Sequence, residues 1–168
     1  MALNTFVAGP FTATYNSADP GYTQDGFTLS FIPKGLPIDR TDIYADTTID
    51  IVYRGADFFM SFVLRQYQAN SVLAFWPWGS FGGAVPTIGK LFSATALALV
   101  LTAVAGTTAK DINIGSGAAG AGTFTANKAI IAENSDVSFT LGPVNRDVPV
   151  RMRLLPYDSG GVKWFTTT

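Results

Sequence analysis

"TTIDIVYRGADFFMSFVLRQY", Thr47 to Tyr67, sets the fold class of this chain. Side chains along a strand point to opposite faces in turn, so apolar and polar residues that alternate mark a half-buried strand. Thr47, Ile49, Ile51 and Tyr53 share one face; Asp46, Thr48, Asp50, Val52 and Arg54 share the other. Farther on, Phe58, Met60, Phe62 and Leu64 point inward, opposite Asp57, Phe59, Ser61, Val63 and Arg65. The link "RGAD" is short enough for a hairpin, which predicts two strands reversing at Gly55.

The same period runs outward in both directions. "FTATYN" places Phe11, Ala13 and Tyr15 against Thr12, Thr14 and Asn16, and "FTLSFI" places Phe27, Leu29 and Phe31 against Thr28 and Ser30. Asp19-Pro20-Gly21 and Asp25-Gly26 supply turn chemistry between these runs, predicting a hairpin. Pro33 to Thr47 carries Pro33, Pro37 and a cluster of charges, which predicts a long exposed loop rather than a central strand. Toward the C-terminus, "TFTANKAIIAE" reads as a strand, and "DVSFTL" and "DVPVRMRLLPY" read as a further alternating pair. In the last of these Val148, Val150, Met152 and Leu154 face in, Arg151 and Arg153 face out, and Pro149 fits an edge or a strand start.

Helical signals are few. "NSVLAFWPWG" predicts a short helix with Asn70 or Ser71 as N-cap and Pro77 as its stop, and a second helix or turn is compatible with "TIGKLFSATA". "LALVLTAVAG" has the alanines of a helix, but its alternating Leu and Val favour a strand. "GSGAAGAG", Gly115 to Gly122, reads as a flexible loop. The expected architecture is mainly β, an antiparallel β-sandwich or barrel with one short flanking helix, in a single domain spanning 1–168.

Composition narrows the function. Hydrophobic residues make up 48% of the chain and charged residues only 14%, against about a quarter charged in an ordinary soluble domain, so contacts between subunits are expected. The net charge of −1 gives no electrostatic basis for gripping a nucleic-acid backbone. With no cysteine and no histidine, disulfides, thiolate metal sites and Ser/His/Asp or Cys/His catalysis are excluded. Asp46 and Asp50 lie about 13 Å apart by strand rise, too far for a glycosidase pair on one strand. "DRTDIYAD" lacks the turn glycine and closing Glu of a calcium loop, and "GSGAAGAG" lacks the Lys-Ser/Thr of a phosphate loop. No catalytic residue, cofactor or metal is expected, and the chain is not expected to be an enzyme. The N-terminal stretch has no basic segment followed by an apolar run, so it does not read as a signal peptide, and no segment reads as a membrane helix.

The aromatic stretch "LAFWPWGSFGG", Leu73 to Gly83, offers almost no polar groups for sugar hydroxyls and no flanking basic cluster for a membrane. Phe75, Trp76 and Trp78 are therefore candidate packing residues, against the sheet or a neighbour.

Taken in order, "GPFTATYN…GYTQDGFTLSF", "VYRGADFFMSFVLRQY…FWPWG", "LALVLTAVAGTTA", "NKAIIA" and "RDVPVRMRLLPY…VKWFTTT" resemble the major tail tube proteins of tailed bacteriophages across nearly the whole chain. That resemblance implies six-fold rings stacked into a hollow virion tail, assembled in the host cytoplasm, through which DNA passes without specific binding. It also implies tail partners: a terminator, a baseplate or tip, a tape measure, and a sheath where the tail contracts. By the same resemblance, the long loop, with Lys34, Leu36, Ile38, Asp39, Arg40, Asp42 and Tyr44, reaches an adjacent subunit or ring. Candidate lumen residues are Asp46, Thr48 and Asp50, with Asp57 and Ser61 as a second strand's share; exposure to outside solvent is the plain alternative. Arg54 and Arg65 are expected near strand ends or paired with Asp. The competing functions are another virion component (tail terminator, head–tail connector or capsid decoration protein) and a non-viral β-sandwich binding module.

Overall fold

The computed structural model describes residues 11–40, 47–66, 89–103, 122–135, 138, 147–158 and 160–167. Its strands are β1 (Phe11–Tyr15), β2 (Tyr22–Arg40), β3 (Thr47–Gln66), β4 (Leu97–Ala103), β5 (Thr123–Ile131), β6 (Val148–Leu154), β7 (Tyr157–Asp158), β8 (Val162–Lys163) and β9 (Thr166–Thr167), with one helix, α1 (Phe92–Thr95). The main sheet runs β1-β4-β5-β6-β3-β2 with every pairing antiparallel, and β9 adds to β5. The mainly β expectation holds. The sheet is open, with β1 and β2 at its ends, and does not close into a barrel.

One face of every long strand contributes to a single core. Ala13 and Tyr15, Leu99 and Leu101, Phe124, Ala126 and Ala129, Met60, Phe62 and Leu64, and Val148, Val150, Met152 and Leu154 are all buried and clustered. The inward set expected on β6 is therefore correct, and Phe27, Leu29 and Phe58 pack at its border. The Tyr15 hydroxyl donates to the Ala129 carbonyl at 3.2 Å, tying β1 across β4 to β5. Burial pushes this phenol up to about 12, because a phenolate there would lose its hydration. The C-terminal segment closes the other side: Phe165 stacks on Phe124 with centroids 4.8 Å apart, and Trp164 lies 5.0 Å from Phe58.

Three local expectations are corrected. Gly55 is no hairpin turn: β3 runs straight through it, with φ of 120° beside a bulge where Lys34 pairs with Gly55 and Gly35 with Tyr53. The extra residue, Arg54, makes the two halves of β3 alternate out of phase. Pro33 to Arg40 is not loop but the distal part of β2, paired with β3 out to Thr47. Its prolines are tolerated because β2 is an edge strand, whose outward donors have no partner to lose. β1 and β2 form no hairpin; β1 folds back only far enough for Tyr15 to bridge Ala18, then pairs with β4. Pro149, the second residue of β6, sits at a strand start as expected, beyond the last β5 pairing at Ile131 and Met152.

"LALVLTAVAG" is strand over Leu97–Ala103, and "TIGKLFSATA" carries α1. The helix expected at Asn70–Gly79, with Phe75, Trp76 and Trp78, lies outside the described residues, as do the Gly115–Ala121 loop and most of "DVSFTL".

Candidate assembly surface

β2 and β3 are far longer than their neighbours. β6 covers β3 only from Phe58 to Leu64, and the β2–β3 pairing continues beyond it to Arg40 and Thr47. The excess is a two-stranded arm that no other described strand flanks.

The arm is apolar on both faces. Pairing continues the core face outward through Phe31, Ile51 and Tyr53, while Ile32, Leu36, Ile38 and Val52 occupy the reverse. Of the ten exposed large hydrophobic residues among those described, seven lie here, including Ile51 at 62% and Tyr53 at 65% exposure, and Phe31 at 64% stands at its base. Apolar residues exposed together in one patch, rather than scattered singly, mark an interaction surface. Gly35 lets the strands approach closely, since a Cβ there would collide with the Ile51 side chain.

The arm is braced at its base. Asp57 accepts from Lys34 Nζ at 2.7 Å and from Arg153, whose guanidinium also reaches Glu133. The Lys34 hydrogen bond, with the Arg153 charge, holds the Asp57 carboxyl below the usual carboxylate range. Arg151 and Arg153 lie over the Phe59 ring, with Cζ 4.2 and 5.8 Å from its centroid. Phe59, expected to face outward, does so but is only 7% exposed. The sequence signal for this was the pair of arginines alternating on β6 beside it.

The sequence-derived candidates separate. Lys34, Leu36, Ile38, Asp39 and Arg40 all belong to the arm, while Asp42, Tyr44 and Asp46 lie outside the described residues. Thr48 donates to Asp39 at 2.7 Å near the arm's end, and the Asp50 carboxylate accepts from the Ile51 amide. Asp57 is at the base and Ser61 in the body, so these residues share one strand, β3, rather than two. Arg65 pairs with Asp147 at 3.4 Å, as expected of an arginine near a strand end.

The sheet's edges are partly closed. The Tyr15 backbone N–H and C=O bond to Ala18, leaving Phe11 and Ala13 as the outward-directed positions of β1. On the arm, Pro33 and Pro37 have no N–H to offer an added strand. The arm's exposed apolar residues lie on its faces rather than along its edge.

The body presents two outward faces of different character. The one over β1, β4 and β5 carries Thr12, Thr14, Val100, Thr102, Thr123 and Thr125. The one over β3 and β6 carries Arg151 and Arg153 with Asp57. Among the described residues no group of three or more His, Cys, Asp or Glu could hold a metal, and no helix is long and apolar enough to cross a membrane.

No family model matches the chain, and no curated protein matches it. Among solved structures, a chain from the "Virion of native gene transfer agent (GTA) particle" is similar, with a TM-score of 0.44 and 9% identity, covering 86% of this chain and 85% of that one.

Proposed function

We propose that this chain is a structural subunit of a phage-like virion, working by self-assembly rather than catalysis, and that its assembled form is stacked rings making a hollow tail tube. The observation that carries the reading is the arm. An apolar ribbon exposed on both faces needs protein on two sides, which rings stacked on rings supply. The resemblance of the sequence blocks to tail tube proteins supports the same reading, and the low charge content fits a surface covered by other copies.

DNA moves best along a wall that does not hold it, because each phosphate–cation contact adds friction. Asp50 on the arm keeps its place as a candidate lumen residue, whereas Asp57 is neutralised by Lys34 and Arg153 and offers little repulsion. The threonine face over β1, β4 and β5 is the alternative wall. Asp50→Lys and Thr12→Lys particles, compared for DNA delivery, distinguish them: the substitution lining the lumen slows delivery.

Negative-stain imaging of the untagged protein over a range of concentrations tests the whole reading. Hollow filaments of uniform width are expected. Single rings would favour a terminator or connector instead, and monomers at high concentration would overturn the assembly reading.

A further inference from the structure

The outward face of β3 and β6 holds a groove of about 490 Å³, lined by Thr28, Ser61, Asn134, Ser135, Pro149 and Arg151 among others. Its polar groups are brought together by register. Thr28 pairs with Ser61 and Ser61 with Arg151, and residues paired across strands share a face, so two hydroxyls and a guanidinium stand in one row across β2, β3 and β6. The Ala132 amide donates to the Arg151 carbonyl at 2.8 Å, and the Ser135 amide to the Ala132 carbonyl at 3.3 Å. These two bonds hold the turn after β5, with Ser135, beside that row.

The groove has donors to spare, and no carboxylate lines it among the described residues. Arg151 rests on the Phe59 ring, which attracts its charge but accepts none of its strong hydrogen bonds. No carboxylate among the described residues pairs with it, whereas Arg153 beside it has both Asp57 and Glu133. The Ser135 hydroxyl is buried without a hydrogen-bond partner among the described residues. A buried hydroxyl in that state has given up water and gained nothing, unless a further group enters to meet it.

One kind of group answers both. A carboxylate is acceptor only, its two oxygens can serve a guanidinium and a hydroxyl together, and its single charge matches the single cation of the groove. A phosphate monoester brings closer to two charges, which this groove does not balance. The volume falls within the range of small-ligand sites.

We propose that this groove is a carboxylate-binding site, in which the Arg151 guanidinium and the Ser135 hydroxyl donate to one carboxylate while Ser61 and Thr28 meet polar groups beside it. The carboxylate belongs to a small organic acid or to an acidic side chain of a short peptide; the chemistry at Arg151 is the same. Neither source needs a second copy of this chain, so the site stands or falls apart from the assembly reading.

Saturation-transfer difference NMR, read on the ligand so that the size of any assembly does not matter, tests the proposal with acetate as probe. Saturable transfer to the acetate methyl is expected. Arg151→Gln should weaken it by about tenfold or more and Ser135→Ala by about threefold or more. Lys90→Gln, which removes an exposed cation outside the groove, should leave it unchanged. Absence of saturable transfer in the wild type, or equal acetate affinity in wild type and Arg151→Gln, would overturn the proposal. So would displacement of acetate by inorganic phosphate, at equal ionic strength, as readily as by more acetate. The methylamide of N-acetylaspartate separates the two sources: displacement at lower concentration than acetate itself assigns a peptide side chain, and at higher concentration a free acid. Equal displacement by the asparagine counterpart would remove the carboxylate from the argument and overturn the proposal. Should Arg151→Gln not melt cooperatively, Ser135→Ala decides, and an unchanged acetate affinity there overturns it.

Discussion

The two halves of β3 have the same kind of alternation and opposite fates. Met60, Phe62 and Leu64 are 2%, 4% and 0% exposed, while Ile49, Ile51 and Tyr53 are 49%, 62% and 65% exposed. Neither half is the more hydrophobic by design of its period. The inner half has β6 alongside it and the rest of the sheet curled over its core face; the outer half has only β2. Alternation determines which side of a strand a residue takes, and the neighbouring elements determine whether that side is covered.

The contrast is sharpest under truncation. Met152→Ala, in the body, should cost about 2–5 kcal/mol of unfolding free energy in a denaturant titration, since a fully buried side chain leaves a cavity. At the bulge between the halves, Gly55→Val should cost about 1–3 kcal/mol, because φ of 120° strains any side chain. If it cost nothing, the bulge would not separate the two regions as described.

Tyr15→Phe should destabilise the body by about 1 kcal/mol through loss of its bond to Ala129. It should also flatten the alkaline limb of stability. The phenol ionises near its ordinary pKa of 10.0 in the unfolded chain but only at about 12 when folded, so wild-type stability falls between those values as the unfolded state sheds its proton first.

Asp57→Asn loosens the arm's base and should cost under about 1 kcal/mol, as partly exposed ion pairs do. A carboxyl lowered on folding stabilises above its unfolded pKa and ceases to as pH falls through the folded one, so the variant should lose part of the wild type's acid-limb slope below the ordinary 3.8. Ile51→Ser with Tyr53→Ser should change monomer stability least of all, within about 0.5 kcal/mol per site, while weakening assembly. A large loss of monomer stability there would mean the arm packs on its own chain.

Much of the arm was legible in part. Leu36 and Ile38 alternate with Gly35 and Pro37, but two prolines and a run of charges outweighed them, because a proline argues against a strand only where its amide would face a partner. β2 has none on its outer edge. The groove lined by Ser61, Ser135 and Arg151 left no such trace: the three are far apart in the chain and come together only through the β3–β6 register and the turn after β5.

From the sequence alone come the mainly antiparallel β class, the inward set on β6, and the absence of histidine and cysteine chemistry, because period, composition and residue type are local properties. Strand order, the continuity of β3 through Gly55 and the uncovered arm were decided by the tertiary structure. Pairing between distant strands is a choice among partners of similar pattern, and no local period carries it.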